Sequence, residues 1–132
     1  TMLGGDHAQI ISQLEGYGWA AGFLTFFANL SGGHRRLLGY IDNTPMLSAL
    51  VHGFSSRDSM AMMANFCHTA FAWAHTDYWL EYVPSKANIA DGPSRQFYDY
   101  VHALRGVEVT MALPSAQDIA TPQRIFSRNP GV

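Results

Sequence analysis

Two periodicities run through the apolar positions of this chain. Between Gln9 and Leu30, Ile10, Leu14, Tyr17, Ala21, Leu24 and Ala28 recur at steps of three and four, which predicts a helix that Ser31-Gly32-Gly33 ends. Gly16, Gly18 and Gly22 each cost that helix about 1 kcal/mol relative to alanine, but small residues suit a buried helix packed closely on a sheet. Leu37 through Ile41 is a short apolar run of strand length. Asn43 or Thr44 can then cap a helix with Pro45 at its first position, running through Met46, Leu47, Leu50 and Val51 to Gly53. Ser55 or Ser56 offers a second cap, with Asp58 favourably placed against the helix dipole. Met60, Met63, Ala64, Cys67, Phe71 and Ala74 make a helical stripe up to His75.

Tyr78 to Val83 is rich in residues that favour sheets, and Pro84 ends its pairing. Pro93 and Ser94 start another helix, with Phe97, Tyr100, Val101 and Leu104 on one face, and Val107 to Met111 forms a further short strand. The order helix, strand, two helices, strand, helix predicts an α/β fold. Its strand–helix–helix–strand unit favours parallel pairing through a right-handed crossover. Two strands do not make a stable sheet unaided.

At 132 residues the chain has the size of one domain, expected over 1–106, with 107–132 as a loosely held carboxyl-terminal extension. An apolar fraction of 48% with 13% aromatic residues excludes a disordered chain. A net charge of −2 supplies no bulk basic character, so nucleic-acid binding needs local clusters. Cys67 is the only cysteine, which excludes an internal disulfide and fits a reducing compartment. With no secretory leader recognisable, an intracellular setting, cytoplasmic or nuclear, is expected. Residues 16–33 carry no charge, yet the glycines and Asn29 interrupt the run, and a buried helix is expected there, not a membrane span.

Three acids stand out. Asp42 ends an apolar strand and precedes a helix start; Asp91 follows Asn88-Ile89-Ala90 and precedes another. For both, local sequence leaves a helix cap and a ligand role open. Glu15 is the only acid between His7 and Tyr40. Glutamate is rarely buried alone, so it faces a metal, a basic group or solvent. His34, His52, His68, His75 and His102 lack the paired spacing of a zinc site, and His68 and His75 are assigned to local hydrogen bonds. Cys67 is expected in the core, with no nucleophile motif around it. Tyr78, Trp79 and Tyr82 read first as core aromatics.

Gln13-Leu14-Glu15 in a helix, Tyr40-Ile41-Asp42-Asn43 at a strand end, and Val83-Pro84-Ser85-Lys86-Ala87-Asn88-Ile89-Ala90-Asp91-Gly92-Pro93-Ser94-Arg95 occur in that order. Over roughly residues 9 to 95 this resembles the ribonuclease H domain of retroelement reverse transcriptases, the last motif being the most specific. The resemblance implies a ribonuclease H-like mixed sheet flanked by helices. It also implies an endonuclease that cuts the RNA strand of an RNA–DNA hybrid by two-metal catalysis with Mg²⁺ or Mn²⁺. By position, Glu15, Asp42 and Asp91 become metal-binding catalytic carboxylates. Arg35, Arg36, Asn43, Lys86, Asn88 and Arg95 become contacts to nucleic acid, through its backbone and 2′-hydroxyls more than its bases. The implied partners are the hybrid and a reverse transcriptase domain in the same polyprotein, with no membrane.

The pattern departs from the family in two places. The family places a first catalytic aspartate on an opening strand, with two more strands before the glutamate helix. Only fourteen residues precede Glu15, and Asp6 lies too close to the helix to stand in. A domain lacking its amino-terminal strands, or a degenerate copy, is therefore expected, and the enzyme reading requires those strands to be supplied. Family members often carry a mobile histidine before the last aspartate, whereas Pro84-Ser85-Lys86 stands here. The rival expectation is a non-catalytic module of the same fold that positions nucleic acid or a neighbouring polymerase domain.

Overall fold

A computed structural model describes residues 7–27 and 35–126. Its elements are α1 (His7–Phe27), β1 (Arg35–Ile41), α2 (Thr44–His52), α3 (Asp58–Trp73), β2 (Thr76–Tyr82), a 3₁₀ turn (Ser85–Ala87), α4 (Asp91–Ser94), α5 (Asp99–Ala103), α6 (Ala116–Ala120) and α7 (Gln123–Phe126). The expected end of the first helix at Ser31 to Gly33 lies outside the described residues, as does His34.

β1 and β2 pair in parallel, from Arg35 opposite Thr76 to Ile41 opposite Tyr82. With α2 and α3 between them, the described chain is α/β with a small two-stranded sheet. The parallel arrangement brings both carboxyl ends to one edge, so Asp42 and the segment after Tyr82 emerge side by side. Arg35 N–H donates to His75 O at 3.0 Å, and Val83 N–H donates to Ile41 O at 3.0 Å, bracketing the ladder at its two ends.

Local signals explain the crossover. Asn43 Oδ1 accepts the Met46 N–H at 2.9 Å, Pro45 sits in the first turn of α2, and Gly53 ends it in the left-handed conformation at φ 69°. α3 starts without a side-chain cap: Ser55 Oγ instead accepts the Arg57 N–H within the loop, so neither expected serine serves. The helix also stops before His75, which turns the chain into β2 with φ 49°. The predicted stripe of α3 is buried throughout, and its Met63, Phe66, Cys67 and Phe71 form the centre of the single core.

α1 buries Ser12, Gln13, Ala20, Ala21, Phe23 and Thr25, and Tyr17 packs on the core; of the expected stripe's described residues only Leu14 is exposed, alongside Ile11 and Phe26 outside it. A Cβ at position 16 would stand 2.7 Å from Met46 Sδ and 2.9 Å from Met63 Sδ, so Gly16 packs closely on α2 and α3 and a larger residue there would make those methionine ends shift.

Neither strand is buried on both sides. Ile41 and Leu80 face the core, but Leu38, Tyr40 and Trp79 on the other face are 57%, 55% and 65% exposed. The short buried strand expected at Leu37–Ile41 is thus a longer one with an open apolar face. The strand aromatics divide as well: Tyr78 stacks on Phe71 at 4.2 Å between ring centroids, whereas Trp79 faces outward and Tyr82 is exposed at the strand end.

Beyond β2, the single helix expected after Asp91 is two short ones, α4 and α5, with Phe97, Tyr100 and Leu104 exposed. No strand forms over 107–111, where the backbone is irregular. The extension, expected to be loosely held, is docked over 114–126. Ser115 and Asp118 form a reciprocal capping box on α6, and Ile119 and Phe126 enter the core, Phe126 lying against Phe66 and Trp73. Among the described residues no helix is long and apolar enough to cross a membrane.

Candidate functional site

The carboxyl edge of the sheet gathers most of the predicted site. Asp42 follows the last residue of β1 and is not spent on capping α2, since Asn43 performs that task. Its carboxylate Oδ2 accepts a hydrogen bond from Asn88 Nδ2 at 3.0 Å, linking residues 46 positions apart.

Glu15 reaches the same place from α1. Burial raises its pKa above the ordinary 4.5, the negative charge of Asp42 raises it further, and a hydrogen bond from the Trp19 side chain acts in the opposite sense. Glu15, on a helix, therefore lies within reach of the charge of Asp42, at a strand end. Gly39 makes this possible, because the Trp19 ring lies over it.

Asp91 belongs to the same edge by chain path but not to the pair. Its N–H donates to Asn88 O at 3.0 Å, and its carboxylate faces Arg95 Nε at 3.5 Å, an exposed pairing of little energetic weight. Like Asp42 it is no helix cap; it lies in the first turn of α4. Among the described residues, no group of three or more His, Cys, Asp or Glu side chains is placed to hold a metal ion.

The expected nucleic-acid contacts are scattered. Arg35 and Arg36 lie at the opposite end of β1 from Asp42, roughly 20 Å away at 3.3 Å per strand residue, so they do not flank Asp42, although both line a groove that Glu15 also lines. Arg35 also donates from Nη1 to Ala74 O at 3.1 Å. Both asparagines use their side chains internally, Asn43 as a cap and Asn88 on Asp42. Lys86 is exposed on the 3₁₀ turn and Arg95 beside Asp91, which leaves these two cations on the acidic edge.

One feature escaped the sequence reading. A groove of about 480 Å³ runs along α1 beside the start of β1, lined by Leu14, Glu15, Trp19, Phe26, Arg35 and Leu37. It is mostly apolar and touches the acidic pair only through Glu15. The exposure of Leu14 and Phe26 shapes it, and of these two only Leu14 stood on the expected apolar stripe.

His68 is engaged locally, as expected. Its Nε2 donates to Leu50 O, and Nδ1 shares a hydrogen bond with the Tyr78 hydroxyl at 3.2 Å. Burial pushes the Cys67 thiol well above its usual pKa, which keeps it inert. No protein-family model, curated protein or solved structure matches the chain.

Proposed function

We propose that this chain is a ribonuclease H-like module of a retroelement polyprotein whose acidic edge serves metal-dependent cleavage of the RNA strand in an RNA–DNA hybrid. The observation carrying this reading is the Glu15–Asp42 pair at the carboxyl edge of a parallel sheet, the position where open α/β sheets place their chemistry. The ordered motifs around Asp42 and Asp91 support it.

The donor set suits one hard divalent ion. A Glu15 carboxylate made costly by burial and by the Asp42 charge is relieved by a cation, and Mg²⁺ or Mn²⁺ prefers such oxygen ligands. Glu15 and Asp42 would hold that ion, which when bound would polarise a phosphoryl oxygen and lower the pKa of its water. A second ion finds no three-acid cluster among the described residues. The two-metal form of the reading therefore asks for ligands beyond these. Lys86 and Arg95 supply positive charge for phosphates on that edge, and Trp19 orients the Glu15 carboxylate.

That no third acid joins Glu15 and Asp42 among the described residues also favours the second reading, a non-catalytic module that positions the hybrid or a polymerase domain. Cleavage of a labelled hybrid in Mg²⁺ or Mn²⁺ decides between them, with Asp42→Asn as the control. Activity in the chain that Asp42→Asn abolishes supports the nuclease. A folded chain that binds hybrid without cutting it, and ignores Mg²⁺, supports the positioning module.

A further inference from the structure

Asn88 uses both ends of its side-chain amide inside the protein. Oδ1 accepts the Ala90 N–H at 3.0 Å, and Nδ2 donates to Asp42 Oδ2 at 3.0 Å. The first bond sets the orientation of the amide. An oxygen committed to an N–H donor leaves the NH₂ group for the carboxylate, and the reverse orientation would set donor against donor and acceptor against acceptor.

The backbone of Asn88 is equally committed. Its N–H donates to Ser85 O at 3.2 Å, and its carbonyl accepts the Asp91 N–H at 3.0 Å. One residue thus joins the 3₁₀ turn behind it, the turn leading into Asp91 and the end of β1. Its side chain is one of the few ties between the acid-bearing loop and the sheet, because residues 84–90 bury nothing in the core.

We infer that Asn88 is a positioning residue, whose amide clamps Asp42 and holds the Asp91 turn against the same edge. This replaces the nucleic-acid contact expected from its place in the motif, and it rests on reading Glu15 and Asp42 as a cation site. The clamp occupies Oδ2, and Oδ1 makes no hydrogen bond among the described residues. A ligand oxygen held from behind by an amide is preorganised, and loss of such partners costs metal affinity roughly ten- to a hundredfold.

Two substitutions separate positioning from a merely local role. Asn88→Ala removes both side-chain bonds. Asn88→Ser keeps an acceptor for the Ala90 N–H, as serine does in such turns, but its hydroxyl is too short to reach Asp42. Each chain is titrated with Mn²⁺ by calorimetry and followed by amide hydrogen exchange, with a thermal melt to confirm folding.

In both variants, exchange protection over 83–91 should fall while α3 stays protected, and Mn²⁺ should bind at least about tenfold more weakly. If serine restores both protection and affinity, Asn88 only shapes its own turn and the inference is overturned. If the unsubstituted chain binds no Mn²⁺ yet both variants lose protection over 83–91, the clamp stands and the cation-site reading fails.

Discussion

The indole of Trp19 occupies the space above Gly39: a Cβ at that position would stand 2.6 Å from Cη2 of the ring and 2.8 Å from Leu80 Cδ2. Gly39→Ala should gain about 0.5–1 kcal/mol from the strand preference for a side chain but lose about 1–3 kcal/mol to overpacking. Net destabilisation of about 1 kcal/mol is expected by urea denaturation. Because Trp19 holds Glu15, the NMR titration of the Glu15 carboxyl should also move; an unchanged titration would sever that link.

Glu15 imposes a pH dependence of definite sign. Its pKa is raised in the folded chain, so the folded state holds the proton more tightly than the unfolded chain. Below its ordinary 4.5 the carboxyl is protonated in both states and costs nothing. As pH rises from there through the folded value, stability falls. Glu15→Gln should therefore melt higher than the native chain at pH 7, with the difference vanishing below 4.5. Mg²⁺ should raise the melting temperature of the native chain at pH 7 and leave that of Glu15→Gln nearly unchanged.

His68 ties three elements together, bonding Leu50 O at the end of α2 and the Tyr78 hydroxyl on β2 from its place on α3. Tyr78→Phe keeps the stack on Phe71 and removes one hydrogen bond, an expected loss of about 1 kcal/mol. His68→Phe also strands the Leu50 carbonyl and should cost about 1–3 kcal/mol more. Equal stability of the two variants would show that the Leu50 bond contributes nothing.

Phe126 tests the docking of the carboxyl-terminal segment. It is 4% exposed and packs on Phe66 and Trp73, so Phe126→Ala should lose about 3–5 kcal/mol, as for other buried aromatic truncations. A loss under about 1 kcal/mol would return the segment to a loosely held tail, since surface substitutions fall near ±0.5 kcal/mol.

Much of the fold was legible because its signals are local. Asn43, Pro45 and Gly53 set both ends of α2 through their own backbone preferences, and the Met60-to-Ala74 stripe marks the buried face of α3. Parallel pairing followed from the length of the connection. Errors arose where packing overrode local preference. On α1 the expected stripe holds at Tyr17 and Ala21 but not at Leu14, and the close packing of Gly16 on Met46 and Met63 gives no signal in a count of large apolar residues. The docking of 114–126 was hidden because Ile119 and Phe126 belong to helices of five and four residues, too short to show a period.

The acidic site divides in the same way. Glu15, Asp42 and Asp91 were selected by residue type and motif order, which are properties of the chain. That Glu15 feels the charge of Asp42, that Asp91 turns instead to Arg95, and that Arg35 and Arg36 lie a strand's length from Asp42 are decided in space. Sequence by itself determined the elements, their order and the candidate acids, because capping, turn chemistry and apolar period act within a few residues. Only the tertiary structure decided which face of α1 is buried and which carboxylates meet, because electrostatic and packing terms depend on distances between elements that are far apart along the chain.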